Sequence, residues 1–314
     1  MNRPTQPDTA CPACHSAASR PYLRGVRDWY HGVEGEWDLI ECVDCGLTYL
    51  SPFIAESHIA ECYPKDYNPL DSGRAHPLVR FLKALTILPY TLRFGQPGYS
   101  PRSFGQGDFL DIGCGAGLNI HEMSGLGWRC TGVDISAPAI EYARKNNPDA
   151  EFHVGLASDM APDERFDLIA MHHVLEHLHR PRQALAACHG LLRPGGRLVV
   201  NVPNIGSLEA RLFGRRWKGL DIPRHLLHFK EEVLERFLLE AGFSIESKRP
   251  GMFATSISES LIMCLPASLR YRMIHSRAGH FFYQLLLPLA ALSYLFGNRG
   301  TVEIVAIKPQ ARNF

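Results

Sequence analysis

Residues 109–117 read FLDIGCGAG, and this stretch decides the fold of the 314-residue chain. Apolar residues surround Asp111 as in a buried strand, and glycines follow at positions 113, 115 and 117. Glycine tolerates positive φ angles and has no side chain, so the backbone can turn sharply and lie close against a ligand. The stretch therefore predicts a strand, a turn that binds a nucleotide cofactor, and a following helix.

A second feature supports this interpretation, since the glycine pattern alone also fits an ordinary tight turn. Residues 128–134 read WRCTGVD, which indicates a second strand that ends in an acid. A carboxylate at this place can accept hydrogen bonds from both hydroxyls of a ribose. Asp134 and the glycine turn are thus predicted to form one cofactor site.

With these two motifs the chain resembles the class I S-adenosylmethionine-dependent methyltransferases. Their first motif is Asp-x-Gly-x-Gly-x-Gly, and their second is an acid that closes the next strand. A nicotinamide dehydrogenase more often needs glycine at the position of Leu118. The resemblance implies S-adenosylmethionine as the cofactor. The residues that it assigns to this cofactor are Asp111, Gly113, Gly115, Gly117, Asp134, Ile135, Leu156, Ala157 and His172.

Predicted strands and helices alternate after the glycine turn. A serine-capped helix is expected at residues 136–145, strands at 151–155, 166–171 and 197–202, and a further helix at 181–192. This alternation indicates parallel βαβ units, in which the ligand crevice lies at the carboxyl ends of the strands. The expected fold class is α/β, a doubly wound Rossmann-like methyltransferase sheet with a small N-terminal zinc-binding module.

That module is predicted from two Cys-x-x-Cys pairs, Cys11 with Cys14 and Cys42 with Cys45. Each pair presents two sulfurs from one tight turn, so two pairs complete the tetrahedral shell of a structural Zn²⁺. Redox pairs and a disulfide are the competing interpretations. Residues 45–52, CGLTYLSP, extend the resemblance to small-molecule methyltransferases that begin in this way.

The fourth predicted strand is followed by residues 172–178, HHVLEHL, on the edge that should face the cofactor. His173, Glu176 and His177 match an inverted zinc-protease motif. We reject that interpretation because no third ligand is evident and because Val-Leu-Glu-His recurs here in the methyltransferases that the chain resembles. His177 is the leading candidate for a base that deprotonates an acceptor hydroxyl. Alternatively, Glu176 and His177 only position the cofactor or the loop.

A second dense segment, residues 217–229, reads WKGLDIPRHLLHF. Similar proteins carry Asp-x-Pro-Arg-His-x-x-His-Phe here, so the resemblance implies a substrate site, with His225 as the second candidate base. The predicted catalytic set is His177, His225 and Glu176. The predicted substrate-binding residues are Asn204, Arg224 and His228. The alternative is a helix-entry motif that locks a loop by hydrogen bonds.

Three domains are expected. Residues 1–52 form the zinc-ribbon-like module, residues 53–107 a helical connector or lid, and residues 108–314 the methyltransferase core. An apolar helical insertion at about 250–299 separates the last two strands, which the resemblance implies form a hairpin with the final strand antiparallel. Its run at residues 281–296 is shorter than the ~20 residues that span a bilayer. A lid over the active site and an interfacial segment that admits a lipid-linked substrate both stay open.

Composition narrows the function classes. With 46% hydrophobic and 21% charged residues, the chain can bury a core and is not a disordered protein. A net charge of +1 gives no general attraction for nucleic acid, so no nucleic-acid partner is expected. Cysteine usage and the lack of an apolar signal peptide predict a cytoplasmic protein, with peripheral contact at the inner face of the membrane as an option.

The sequence therefore predicts an enzyme that transfers a methyl group from S-adenosylmethionine to a small-molecule acceptor. O-methylation of a hydroxyl is favoured over C-methylation of a nucleotide-linked sugar. A different class of function is a zinc-ribbon binding protein with an idle cofactor fold, against which the intact glycine turn and Asp134 argue. The sequence does not indicate an oligomeric state.

Overall fold

A computed structural model of the chain describes residues 5–6, 10–63, 88–92, 104–163, 165–251, 255–276, 286, 292–296 and 299–310. Within these ranges the strands form a seven-stranded sheet, a four-stranded sheet and one two-stranded pair. The larger sheet carries the predicted cofactor turn, and the smaller one carries the cysteine pairs.

The N-terminal strands are β1 (Thr5–Gln6), β2 (Ser19–Val26), β3 (Trp37–Cys42), β4 (Thr48–Ser51) and β5 (Phe53–Ile54). β2, β3 and β4 form an antiparallel meander, and β1 pairs with β5. One cysteine pair precedes β2, and the other lies at the turn from β3 to β4. The meander thus brings the two pairs to the same end of a small sheet.

The remaining strands are β6 (Asp108–Ile112), β7 (Arg129–Asp134), β8 (Glu151–Val154), β9 (Phe166–His172), β10 (Leu192–Pro203), β11 (Leu227–His228), β12 (Ser244–Pro250) and β13 (Thr301–Ile307). The large sheet has the order β12-β13-β10-β9-β6-β7-β8. β13 is antiparallel to both neighbours, and the pairs among β6 to β10 are parallel. The predicted doubly wound fold is confirmed, with the order reversing between β6 and β9.

The helices are α1 (Leu118–Gly125), α2 (Ala137–Asn146), α3 (Pro181–Leu191), α4 (Leu208–Phe213), α5 (Glu231–Glu240), α6 (Thr255–Met263) and α7 (Ala267–His275). The hydroxyl of Ser136 accepts a hydrogen bond from the amide of Ala139 at 3.4 Å. This confirms the predicted serine cap, which replaces a lost helical partner at the start of α2.

The small sheet does not stand apart from the large one. β11, from the predicted substrate segment, pairs antiparallel with β4 and becomes the edge strand of the small sheet. One hydrophobic cluster contains Leu39 and Leu50 of the small sheet together with Leu175 and Val200 of the large sheet. Burial of these side chains therefore stabilises both sheets as one unit.

Two predicted segments, the connector and the insertion, lie only partly within the described residues. β5 and a 3₁₀ helix at Glu56–Cys62 occupy the start of the predicted connector. Most of the predicted connector at 53–107 and most of the apolar run at 281–296 lie outside the described residues. Among the residues that are described, no helix has the length and apolar character needed to cross a membrane.

Candidate active site

The three glycines of the turn have positive φ angles, which residues with a side chain rarely adopt. Gly113, Gly115 and Gly117 have φ angles of 71°, 50° and 77°. A Cβ at Gly113 would lie 2.4 Å from Val174, and one at Gly117 would lie 2.8 Å from Asn147. Beside Gly115 a Cβ would meet no atom within 4 Å. The turn is therefore closely packed at Gly113 and Gly117 and leaves the backbone of Gly115 open. A ligand could approach the main chain closely at this point.

Asp134 fixes this turn from the neighbouring strand. Its carboxylate accepts hydrogen bonds from the amides of Gly115 and Ser136 at 2.9 and 2.8 Å. Ile135 follows and is exposed. The two predicted halves of the cofactor site thus meet through one carboxylate.

Leu156 and Ala157 lie after β8, at the next strand end of the sheet. The side chain of Asp159 accepts a hydrogen bond from the amide of Leu156 at 2.9 Å, which fixes this short turn. Ala157 is buried and Leu156 is half-buried. The pair offers an apolar boundary to a ligand that lies along the strand ends.

Asp111 and His172 lie at adjacent strand ends, because β6 and β9 pair through Ile112 and Met171. Asp111 is buried and accepts a hydrogen bond from the Asn119 side chain at 3.2 Å. Burial raises the pKa of Asp111 to about 7, and burial lowers the pKa of His172 to about 4. Both groups are therefore held towards their neutral forms.

The structure brings the two histidine-rich segments together. The 3₁₀ turn Leu175–His177 leaves β9, and the ring of His177 meets the ring of His225 edge to face at 4.7 Å between centroids. Candidate ligand atoms of Glu176, His177 and His225 all lie within 4.8 Å of one another. All three members of the predicted catalytic set thus share one cluster, although the two segments are far apart in the sequence.

Backbone carbonyls orient both histidines. Nδ1 of His177 lies 3.0 Å from the carbonyl oxygen of Arg224, and Nδ1 of His225 lies 2.9 Å from that of Gly219. A carbonyl can only accept, so we assign a proton to each Nδ1, which leaves the lone pair on Nε2 of the neutral ring. Nε2 of His225 lies 3.9 Å from Glu176 Oε1. A lone pair for proton transfer is therefore available on each ring.

In this cluster the carboxylate of Glu176 is charged, whereas the imidazoles of His225 and His228 are neutral. Although burial alone raises the pKa of Glu176, the hydrogen bond from His173 and the nearby imidazoles lower it to about 2. Its Oε2 atom is buried and has no hydrogen-bond partner within the described part of the chain. Burial lowers the pKa of His225 to about 4 and that of His228 to about 3. An anionic carboxylate therefore lies beside imidazoles that are neutral at pH 7.

Arg224 is fully buried, and its guanidinium nitrogens all contact protein acceptors. Nη1 donates to Asp28 Oδ2 at 2.9 Å and to the Cys62 carbonyl at 3.0 Å, and Nε donates to Asp221 Oδ2 at 3.0 Å. Burial alone would lower the pKa of Arg224, but Asp221 and Asp28 hold it above its usual value. This arrangement matches the alternative in which residues 217–229 lock a loop, because the guanidinium faces the protein.

The two other predicted substrate residues, His228 and Asn204, lie in different surroundings. His228 lies in β11 opposite Thr48, and its Nε2 atom is buried without a partner in the ranges that the structure covers. Asn204 follows β10 and accepts a hydrogen bond from the amide of Gly206 at 3.0 Å. Asn204 also lines a shallow pocket with charged residues that include Glu235 and Lys248, a different surrounding from the histidine cluster.

Two residues at this site were missed by sequence analysis. The hydroxyl of Tyr63 lies 3.4 Å from His177 Nδ1, and Asp28 contacts Arg224. Both come from the N-terminal part of the chain. Neither was assigned to the site, because Tyr63 falls in the predicted connector and no motif marks Asp28. Only the tertiary fold brings them to the cluster.

The four N-terminal cysteines form a candidate metal centre. Sγ atoms of Cys11 and Cys45 are 3.5 Å apart, as are those of Cys14 and Cys42, and all four lie within 4.8 Å of one another. A disulfide would need about 2.05 Å, whereas tetrahedral Zn–S bonds of about 2.3 Å separate the sulfurs by about 3.8 Å. His15 is exposed. The donor set therefore fits one ion held by four thiolates, and it does not fit disulfides.

Comparison with known proteins adds the following. A family profile described as "Methyltransferase domain" matches residues 85–248. A ubiquinone biosynthesis O-methyltransferase of Xanthomonas euvesicatoria pv. vesicatoria is 28% identical over 149 residues, which are 44% of this chain and 62% of the relative. The corresponding protein of Aromatoleum aromaticum is 34% identical over 146 residues, which are 42% of this chain and 62% of the relative. The chain thus spans less than two thirds of the length of these curated relatives.

Solved structures with a similar fold include two with low sequence identity. The [4+2]-cyclase SpnF is 21% identical with a TM-score of 0.46, and the match covers 77% of this chain and 86% of that one. An S-adenosylmethionine-dependent methyltransferase from Mesorhizobium loti is 16% identical with a TM-score of 0.47, and the match covers 66% of this chain and 95% of that one.

Proposed function

The chain belongs to the methyltransferase domain family, and from this premise we propose that it transfers a methyl group from S-adenosylmethionine to a hydroxyl oxygen of a small-molecule acceptor. The observation that carries the proposal is the cluster of Glu176, His177 and His225. Glu176 and His177 follow β9, which pairs with β6 just before the glycine turn. The relatives from Xanthomonas and Aromatoleum, which are named as O-methyltransferases, support oxygen as the methylated atom.

On the cofactor side, each predicted residue has a role that its position supports. The open backbone at Gly115 would lie against the cofactor, and Asp134 would accept hydrogen bonds from the ribose hydroxyls. Ile135, Leu156 and Ala157 would border the adenine. Asp111 is the buried carboxylate nearest to the turn, so we assign it to the ammonium group of the cofactor. S-adenosylmethionine, when bound, supplies an electrophilic methyl group on a sulfonium.

On the acceptor side, His177 would take the hydroxyl proton on Nε2 as the oxygen bonds to the methyl carbon. Its Nδ1–H group keeps donating to the Arg224 carbonyl, which fixes the direction of the lone pair on Nε2. The resulting imidazolium would lie near the buried carboxylate of Glu176, which stabilises the positive charge. His225, with its pKa lowered to about 4 by burial, is a weak base and would serve to shape the site.

A screen of extracted metabolites with radiolabelled S-adenosylmethionine tests this function. We expect label in a small molecule, bound to oxygen, and no label with Asp134→Ala. Label bound to carbon would overturn the choice of oxygen and support the alternative, C-methylation of a nucleotide-linked sugar. Label in nucleic acid would overturn the small-molecule acceptor. No transfer by protein that binds the cofactor would favour the binding-protein alternative.

Binding of S-adenosylmethionine should release a proton below pH 7. Free Asp111 is held protonated up to about pH 7 by burial, whereas an adjacent ammonium favours its carboxylate form. The affinity should therefore fall as the pH decreases from 7 to 5. Calorimetry at pH 6 in buffers of different ionisation enthalpy measures the released proton.

The matched variants for this experiment are Asp111→Asn and Asp149→Asn. Asp149 is exposed in the loop between α2 and β8, so its variant should keep the proton release, whereas Asp111→Asn should abolish it. Equal observed enthalpies in all buffers for the unmodified protein would contradict the assignment of Asp111 to the ammonium group.

Further parts of the proposal concern the N-terminal module and the location of the protein. Cys11, Cys14, Cys42 and Cys45 would hold one structural Zn²⁺, which stabilises the module when bound. All nine cysteines are free in the structure, which is compatible with the proposed cytoplasmic location. We propose no nucleic-acid partner.

The insertion should act as a lid and should not bind a membrane surface. α7 exposes Leu269 and Tyr271 beside Arg270 and Arg272, so contact with anionic lipid is the specific alternative. In flotation with anionic liposomes we expect the protein to stay in the lower fractions. Flotation that is lost in Arg270→Gln/Arg272→Gln would contradict the lid and support an interfacial segment with a lipid-linked acceptor.

A further inference from the structure

The N-terminal sheet contains a strand of the predicted acceptor site. β11 pairs with β4 through Leu227 with Tyr49 and His228 with Thr48. The amide of Leu50 also donates to the carbonyl of Leu226 at 2.9 Å. Residues 226–228 are thus held by the small sheet, although they lie in the segment that carries His225. A displacement of that sheet would move the histidine cluster.

The carboxylate of Asp28 connects the two parts through an ion pair with Arg224. Asp28 lies between β2 and β3, and its Oδ1 accepts from the amides of Tyr30 and His31 at 3.1 and 2.8 Å. Its Oδ2 accepts from the amide of Val33 at 3.3 Å and from Nη1 of Arg224 at 2.9 Å. Backbone donors thus fix the Asp28 carboxylate in one orientation, and its charge faces Arg224.

Arg224 passes this constraint to the candidate base. Its carbonyl oxygen lies 3.0 Å from His177 Nδ1, and the amide of Leu226, two residues on, donates to the carbonyl of Glu176 at 2.9 Å. Asp28 and Asp221 therefore hold the Arg224 side chain from two directions, while the Arg224 backbone holds the His177 ring. Asp221 lies in the same loop as Arg224 and moves with it. Asp28 is the partner that lies on the N-terminal sheet.

We propose that Asp28 is a positioning residue for His177, which it reaches through the guanidinium and the carbonyl of Arg224. The proposal rests on the proposed function only for its effect on methyl transfer. Its structural content is that Asp28 keeps the proton of His177 on Nδ1 and the lone pair on Nε2. Without Asp28, Arg224 keeps Asp221 as a counter-ion, so the charge is not left unpaired and the fold should persist.

Histidine tautomers in Asp28→Ala test this without an acceptor. In ¹⁵N-histidine-labelled protein we expect the His177 signals of the unmodified chain to show the proton on Nδ1 alone. Asp28→Ala should give a mixture of Nδ1 and Nε2 protonation, whereas Asp28→Asn, which keeps an acceptor oxygen, should give an intermediate result. Unchanged tautomers in Asp28→Ala would overturn the proposal.

Glu41→Gln is the matched control. Glu41 also joins the two parts of the chain, through an ion pair with Lys230 at 3.2 Å, but Lys230 has no contact with the histidine cluster in the described structure. Glu41→Gln should therefore leave the His177 tautomer unchanged. A tautomer mixture in both variants would show that any loosening of the interface has this effect, and it would overturn the specific role of Asp28.

Kinetics provide the second readout once an acceptor is known. Asp28→Ala should slow single-turnover methyl transfer by about tenfold and leave cofactor affinity unchanged, because misplacing a catalytic group costs rate. In a His177→Ala background the same change should have almost no further effect on the rate. An equal slowing in both backgrounds would overturn the route through His177. A tautomer shift without methyl transfer to any hydroxyl would leave the positioning intact and contradict only the proposed function.

Discussion

Replacing His177 with alanine should slow single-turnover methyl transfer by roughly a hundredfold or more, because the acceptor hydroxyl then loses its proton to water. Cofactor affinity should stay nearly unchanged, since the proposed cofactor site is formed by the glycine turn and Asp134. Rapid-quench assays with saturating acceptor, carried out across a range of pH, measure the chemical step directly.

His225→Ala is the informative comparison. Burial lowers the pKa of His225 to about 4, so His225 is a weak base at neutral pH. We expect this variant mainly to raise the KM for the acceptor, because His225 packs against the His177 ring and shapes the cluster. If both variants kept the rates and the pH dependence of the unmodified protein, proximity and orientation alone would drive the reaction, and the assignment of a base would be wrong.

Removing the metal should unfold the N-terminal module before the core. Structural Zn²⁺ contributes about 10–16 kcal/mol of apparent binding energy in small zinc peptides at neutral pH, so its loss outweighs most single contacts. Elemental analysis should find one zinc per chain, and Cys42→Ser should lower that content and introduce an early melting transition. Methyl transfer should fall at the same time, because β11 and the Arg224 loop depend on the small sheet.

The control for cysteine replacement is Cys188→Ser, which changes a buried free thiol in α3 outside the cysteine cluster. Its zinc content should stay at one per chain. Metal-free protein with an unchanged melting profile would contradict the structural zinc. A second equivalent of metal that disappears in His225→Ala would place an ion among Glu176, His177 and His225, and would overturn the assignment of His177 as a base.

Features that depend on neighbouring residues were predictable from the sequence. The strand, the glycine turn and the helix around residues 109–125 follow from local backbone preferences, and Ser136 caps α2 as its position predicts. The predicted antiparallel final strand is confirmed by the pairing of β13. The first two predictions use residues within one turn or one strand, where local geometry leaves few alternatives, whereas the antiparallel final strand was implied by the resemblance.

Features that depend on distant partners were not predictable in this way. The resemblance implied a substrate contact for Arg224, but the carboxylate of Asp28 that binds it lies in the loop between β2 and β3, and no periodicity marks such a pair. Tyr63 near His177 has the same origin. The expected domain limit after residue 52 rested on the two cysteine pairs and the run at residues 45–52, whereas the pairing of β4 with β11 is a backbone contact that neither sequence alone reveals.

This shared sheet limits how the protein can change. An edge strand that loses its neighbour exposes unpaired amides and carbonyls, which attract other chains. A chain shortened to begin after residue 52 would lack β4, so β11 would have unpaired amides and carbonyls. The loop that carries Arg224 and His225 would then lose its support. If the N-terminal module were replaced by one from another protein, the new module would have to pair with β11 as well as bind its own metal. A change of acceptor that alters residues near β11 is therefore expected to require a matching substitution in β4, because the two strands pair.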